Sequence, residues 1–158
     1  MGAGMKAFLA AALLPAVLIV AAPAAAAPRD AVMAATNAFM AALNRGDADA
    51  AQAMTHPTLT IQVLRFPPEG GNKYSVMTRQ QLFDNFRSAP PRKFDEQIVR
   101  PQVLITRDHA HVWAPYTLDI DGKRIHCGID SFGWSKLDGK WLLTTFGWTA
   151  DPQGCPPK

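Results

Sequence analysis

The sequence holds 158 residues, 48% hydrophobic and 18% charged, enough for one compact domain and too few for two of ordinary size. Apolar residues are too plentiful, and charges too sparse, for an intrinsically disordered chain. The formal charge of +3 is small and dispersed, which gives no footing for a nucleic-acid partner.

The first segment has the layout of a secretory signal. A single Lys6 precedes an apolar run over 7–22, and small residues follow at Ala24, Ala25, Ala26 and Ala27, matching the n-region, h-region and A-x-A cleavage pattern. Signal peptidase disfavours proline directly after the cut, which places cleavage between Ala26 and Ala27 and not before Pro28. The run is shorter than a bilayer span of about 20 residues, rich in alanine and interrupted by Pro15, so no stable membrane anchor is expected. No cysteine follows it, so a lipoprotein box is absent. Residues 1–26 are read as a signal peptide and 27–158 as the single domain of an exported protein, expected in the periplasm of a bacterium. Export also governs the cysteines: Cys127 and Cys155 are the only two, and an oxidising compartment favours a disulfide between them. Neither a CxxC motif nor a four-ligand zinc spacing is present, so the bridge is read as a staple.

In the mature chain, 31–44 carries Val32, Ala35, Phe39, Met40 and Leu43 at helical spacing, with Asp30 as N-cap and Gly46 as the C-terminal stop. Asp47 caps a short helix over 48–54, which ends at His56-Pro57. The β-branched residues of 58–66 predict a strand, and 67–72 (PPEGGN) a loop. Thr78 caps a third helix over 80–87 with Leu82, Phe83 and Phe86 on its buried side, and Pro90-Pro91 breaks the chain again. One strand is expected over 94–106, then a turn at Arg107-Asp108. A strand over 109–120 is closed by Asp121-Gly122, a strong two-residue hairpin signal. The next, over 123–137, is closed by the same signal at Asp138-Gly139. A strand over 140–149 completes an antiparallel meander, followed by a Pro/Gly-rich tail over 151–158. This order sets helices against one face of an antiparallel sheet, an α+β architecture.

The hairpins permit a register. A two-residue turn at Asp121-Gly122 pairs Ile120 with Lys123, Leu118 with Ile125, Tyr116 with Cys127 and Ala114 with Ile129 on one face. The Asp138-Gly139 turn adds Trp148, Phe146, Thr144 and Leu142. That face is apolar and is expected to lie against the helices. The other carries Trp113, Thr117, Asp119, Arg124, His126, Asp130, Phe132, Trp134, Leu143 and Thr145. It is too apolar for a plain solvent face and suits a partner surface or a ligand site. Gly128 stands inside a long strand, where glycine often marks a bulge; a bulge there separates His126 and Asp130 onto different faces.

The C-terminal half carries a family resemblance. Val112-Trp113-Ala114-Pro115-Tyr116, Asp121-Gly122-Lys123, His126-Cys127-Gly128-Ile129-Asp130, Asp138-Gly139-Lys140-Trp141 and Gly154-Cys155-Pro156 form a string that resembles the nuclear transport factor 2-like superfamily. It is similar to exported bacterial members often grouped as lumazine-binding or SnoaL-like proteins. The resemblance implies a cystatin-like cone, in which helices pack on a curved antiparallel sheet and a pocket opens at one end. The superfamily includes ketosteroid isomerases, scytalone dehydratase and polyketide cyclases, as well as binding and assembly modules without catalysis. Dimerisation through the outer sheet face is common in it. Fold alone therefore leaves function open.

Several side chains are candidates for chemistry. His126 and Asp130 suggest an acid–base pair, but four residues along a regular strand span roughly 13 Å, too far for a hydrogen-bonded dyad. In the register above, His126 faces Thr117 and Thr149, and Asp130 faces Trp113 and Gly147. Tyr116 suits either a pocket wall that orients a ligand or a satisfied core tyrosine. Trp113, Trp134, Trp141 and Trp148 suit an aromatic ligand, a core or an interface. His109 and His111 form an HxH on one strand face, short of the ligand count zinc requires. The sequence has no Gly-rich phosphate loop, G-x-S-x-G elbow or H-E-x-x-H, and neither a metal nor a cofactor is expected.

Three readings stand together. The first is a small-molecule-binding protein that takes an apolar or aromatic molecule at Tyr116, Trp113, His126 and Asp130. The second is a cofactor-free isomerase, dehydratase or cyclase in which Tyr116, His126 or Asp130 polarises or deprotonates a substrate. That reading requires a buried carboxylate or imidazole of shifted pKa facing the pocket. The third is an interaction module whose aromatic sheet face makes a homodimer, so that Trp113→Ala or Trp134→Ala releases monomers. The first ranks ahead because no complete catalytic constellation is present.

Overall fold

The computed structural model describes Met1 and residues 27–157. Apart from Met1, the signal-peptide reading of 1–26 lies outside the described residues. Among the described residues, no helix is long and apolar enough to cross a membrane.

Helix α1 (Pro28–Asn44) begins three residues earlier than its apolar spacing predicts. Pro28 stands at the helix start, where its missing N–H costs nothing, so Asp30 sits in the first turn and Ala27 takes the N-cap position. Helix α2 (Ala48–Ala53) starts as expected, with the Asp47 side chain accepting from the Ala50 N–H at 3.0 Å. Strand β1 (Thr55–Arg65) follows, then the loop, then β2 (Lys73–Thr78), which the sequence reading did not include. Helix α3 (Arg79–Ser88) carries a complete capping box: Gln81 N–H donates to Thr78 Oγ1 at 3.2 Å, and Thr78 N–H donates to Gln81 Oε1 at 2.9 Å.

The strand expected over 94–106 is two strands, β3 (Phe94–Ile98) and β4 (Gln102–Thr106). Arg100 takes a φ of +47° between them, and Pro101 lacks the N–H that a continuous ladder would need. Strands β5 (His109–Ile120), β6 (Lys123–Leu137) and β7 (Lys140–Ala150) form the meander. The sheet runs β2-β1-β7-β6-β5-β3, with β4 also on β5. Strand β1 lies parallel to β7, and the other pairs are antiparallel.

All three helices pack on one face of this curved sheet, which is the α+β, cystatin-like architecture expected. Phe39 of α1 drives edge-on into Phe132, Trp134 and Phe146, with ring centroids 6.4, 6.4 and 5.5 Å away. Leu59, Ile61 and Val63 of β1, Val112 of β5, Leu143 of β7 and Phe83 of α3 complete a fully buried core.

Two bulges correct the expected register. Both hairpin turns form as predicted, pairing Ile120 with Lys123 and Leu137 with Lys140. Past Asp119–Arg124 the register shifts, so that Leu118 pairs with His126 and Tyr116 with Gly128. The unpaired residue is Ile125, and Gly128 is not the bulge. A second shift between Gly133 and Trp134 leaves Thr144 unpaired, its hydroxyl donating to the Gly133 carbonyl at 3.0 Å. A one-residue slip moves every later side chain to the opposite face. His126, Asp130, Phe132, Trp134 and Leu143 therefore face the helices, while Cys127, Ile129 and Leu142 go outward. His126 lies beside Leu118, and Asp130 lies between Ala114 and Trp148, replacing the partners expected for both. Trp134 is fully buried, so it is a core residue and Trp134→Ala is no probe of an interface.

Cys127 and Cys155 are bonded, with Cα atoms 5.1 Å apart. The bridge lies on the outer face, where Cys127 also exchanges two backbone hydrogen bonds with Asp151, of 3.1 and 2.8 Å.

Candidate functional site

The sheet and helices leave a pocket of about 340 Å³ between α1, α3 and the inner face of the sheet. Its walls are apolar: Leu43 from α1, Leu82 and Phe86 from α3, Phe94 from β3, Leu118 from β5, and Phe146 and Trp148 from β7. The aromatic rings pair along the walls, Phe86 with Phe94 at 5.7 Å and Phe146 with Trp148 at 5.3 Å. Into this lining project Glu96, Tyr116 and His126, with Arg65, Asn44 and Asn85 also present.

Tyr116 and His126 meet because the bulge at Ile125 turns His126 inward. The Tyr116 hydroxyl lies 2.9 Å from His126 Nδ1 and donates to the Thr149 carbonyl at 2.7 Å. Gly128 makes this arrangement possible. A Cβ on it would lie 2.0 Å from the Thr149 carbonyl oxygen, so only glycine lets that carbonyl stand across the strand from Tyr116. Burial pushes the Tyr116 phenol well up from its ordinary range, and the Asp130 and Glu96 carboxyls add to the effect. Burial, then the positive charge of Arg65, pulls His126 down, which keeps its imidazole neutral.

Asp130 lies beneath this layer at 1% exposure. Neither of its oxygens has a partner at ordinary hydrogen-bonding distance. Its strongest neighbour is the Glu96 carboxyl, close enough to act on it as a charge and as a proton partner. Burial first, then Glu96, pushes Asp130 well above the usual carboxylate range. Glu96 is itself pushed up to about 7 by burial, an effect that interaction with Asp130 opposes. Two carboxyls in an apolar surround do not both ionise, and a shared proton is the ordinary outcome. Asn44 fixes Glu96 from α1: its Nδ2 donates to the Glu96 carbonyl at 2.9 Å, and its Oδ1 accepts the Glu96 N–H at 2.8 Å.

Of the residues singled out from sequence, Tyr116 and His126 come together in the pocket, and Asp130 sits directly under it. Trp113 does not join them. It stands on the outer face at 47% exposure, stacked on His111 at 6.4 Å. His109 and His111 each meet a β6 serine, Ser135 at 3.3 Å and Ser131 at 3.2 Å. The sequence reading missed Glu96. Its signal was the alternation Phe94, Glu96, Ile98, which puts an acid among apolar residues on the inward face of β3. A charged residue at such a position needs an explanation that a core does not supply.

This combination of a curved sheet, helices on one face and a pocket between them is the cystatin-like, NTF2-like fold. Residues 28–152 match the calcium/calmodulin dependent protein kinase II association domain, and the chain belongs to that family. Among solved structures, it is similar to the association domain of C. elegans CaMKII, at 18% identity and a TM-score of 0.57, over 76% of this chain and 93% of that one. It is also similar to an NTF2-like protein from Cytophaga hutchinsonii, at 16% identity and a TM-score of 0.62, over 79% and 99% of the two chains. A protein with a cystatin-like fold from Nostoc punctiforme matches at 16% identity and a TM-score of 0.61, over 79% and 92%. At these identities the likeness is one of fold. Comparison with curated proteins finds no match.

Proposed function

We propose that the chain is an exported small-molecule-binding protein, cleaved after Ala26, whose ligand occupies the pocket above Tyr116. One observation carries this reading: apolar walls enclose about 340 Å³ on which Glu96, Tyr116 and His126 converge. Ligand sites combine that size and apolar lining with a few placed polar groups. Export is supported by the signal pattern ahead of Ala27 and by the Cys127–Cys155 bridge, which suits an oxidising compartment. Self-association through the outer sheet face is part of the same proposal. It is supported by membership of a family named for association and by Trp113 and Leu104 on that face, 47% and 72% exposed.

The test is native mass spectrometry of the protein expressed with its own N-terminus and purified gently from the exported fraction. The expected spectrum shows a chain starting at Ala27, an oligomer, and a small molecule retained near one per chain. Trp113→Ala is expected to release monomers with the pocket intact. An empty oligomer that also fails to take up small aromatic probes would overturn the binding reading.

A second reading is favoured by the acid pair. Glu96, pushed up to about 7 beside an Asp130 raised well above the usual carboxylate range, suits a general base, so the chain would act as a cofactor-free proton-transfer enzyme. The retained molecule separates the two: unchanged on incubation with the protein it is a ligand, and chemically altered it is a substrate.

A further inference from the structure

The pocket floor gathers acceptors that no nearby donor meets: Arg65, the cation in the lining, donates to Ser75 at 3.2 Å and not to either floor carboxyl. The Tyr116 hydroxyl has one proton, and it goes to the Thr149 carbonyl at 2.7 Å, an oxygen that can only accept. At its 2.9 Å contact with His126 Nδ1, the phenol oxygen must therefore accept. The proton of the neutral imidazole is then on Nδ1, and Nε2 is left with a free lone pair. Asn44 spends both ends of its amide on the Glu96 backbone. Among the described residues, no ion pair involves Glu96 or Asp130, and Asp130, at 1% exposure, has only the Glu96 carboxyl as a proton partner. The floor thus presents the Glu96 carboxyl and His126 Nε2 as acceptors, with Asp130 behind them, while Arg65 lines the same pocket without forming an ion pair with either carboxyl.

Building on the pocket reading, we propose that the pocket takes a small monoammonium ion with an apolar or aromatic body. The ammonium N–H groups donate to Glu96 and His126 Nε2, and the body lies against Phe146, Trp148, Phe86 and Phe94. An ammonium brings donors and a positive charge directly to these unpaired acceptors, and aromatic faces attract such a cation as well. An anion would face Glu96 and leave every acceptor of the floor unpaired. Arg65 lines the same pocket, which disfavours a second positive charge and so a diamine.

The charge state gives the proposal a pH signature. The group that acts on Glu96 is Asp130 from β6, and the other titratable or charged groups lining the pocket are His126 from β6, Tyr116 from β5 and Arg65 from β1. An ammonium needs an ionised Glu96, so bound cation and bound proton compete. Affinity is expected to fall as pH drops below the Glu96 value of about 7, approaching about tenfold per pH unit.

The experiment is calorimetric titration of the mature protein with phenethylammonium, phenylethanol and phenylpropionate, at about pH 8 and about pH 6. Phenethylammonium is expected to bind at least about tenfold more tightly than phenylethanol at the higher pH, a gap typical of one added charge-assisted hydrogen bond. That advantage should shrink at the lower pH, and phenylpropionate should bind weakest. In Glu96→Gln the ammonium advantage should vanish while phenylethanol still binds, which shows the pocket intact. The pH comparison on the unsubstituted protein stands even if this variant fails to fold. Phenylethanol or phenylpropionate binding as tightly as the ammonium overturns the inference and leaves the pocket reading standing. No binding of any of the three overturns both.

Discussion

A carboxyl buried in an apolar wall makes the fold sensitive to pH. Glu96 has an ordinary value of 4.5 and is pushed to about 7 in the folded chain. Between those values the folded state holds a proton that the unfolded state has released. The associated stability is complete below about 4.5 and is lost as pH rises through about 7. The difference corresponds to a cost on the order of 3 kcal/mol once the group is ionised. His126 works in the opposite sense: its lowered value costs stability as pH falls through the ordinary histidine range. Comparing Glu96→Gln with the parent isolates the carboxyl. The variant is expected to gain stability progressively from about pH 5 to about pH 8, by up to about 3 kcal/mol in urea unfolding. A gain independent of pH would show that the Glu96 charge is not buried. At this scale the sequence marked Tyr116, His126 and Asp130 as chemically interesting. It could not show that Glu96 completes the set, because β3 reaches β6 only through β5 in the folded sheet.

Strand crossing at Gly128 is a property of β6 and β7 together. Glycine in a strand is weakening in itself, and a bulge was the natural expectation. The structure shows another reason for it, since the Thr149 backbone carbonyl stands where a Cβ would be. Backbone yields less readily than a flexible side-chain end, so Gly128→Ala is expected to cost at least about 2 kcal/mol. It should also disturb the Tyr116–Thr149 hydrogen bond. Urea unfolding checks the first, and a change in Tyr116 absorbance or fluorescence the second; a neutral substitution would mean the carbonyl can move aside. The turns at Asp121-Gly122 and Asp138-Gly139 were readable because each Asp and Gly there takes positive φ, which those residue types tolerate. The bulges at Ile125 and Thr144 were not, because neither residue type signals an unpaired position. Those two residues decide which side chains face the pocket.

Over the whole molecule, the tail is tied back to the sheet by the Cys127–Cys155 bridge, 28 residues apart in sequence. Cross-linking a loop of that length restricts the unfolded chain and is worth about 3 kcal/mol. Replacing both cysteines by serine is expected to lower stability by that amount in urea unfolding. The parent should show the same loss on reduction and the variant none. A pair of curves unmoved by reductant would mean the bridge is not formed in solution. The bridge, like Trp113, lies on the outer face of the sheet, so its loss is expected to spare the inner pocket.

The number of helices, the three-strand meander, both hairpin turns, the capped start of α3 and the disulfide partners could be read from the chain because each rests on local chemistry. Cap residues, turn dipeptides and apolar spacing act within a few residues of one another. The parallel pairing of β1 with β7, the role of β2 as an edge strand and the split between β3 and β4 depend on which distant segments meet. The site belongs to this second kind. The one-residue bulge at Ile125 turned His126, Asp130 and Trp134 inward, the one at Thr144 turned Leu143, and only the closed sheet brought Glu96 to Asp130. Period-two alternation carries no information about a slipped register, since every residue after the slip keeps the same spacing while exchanging faces.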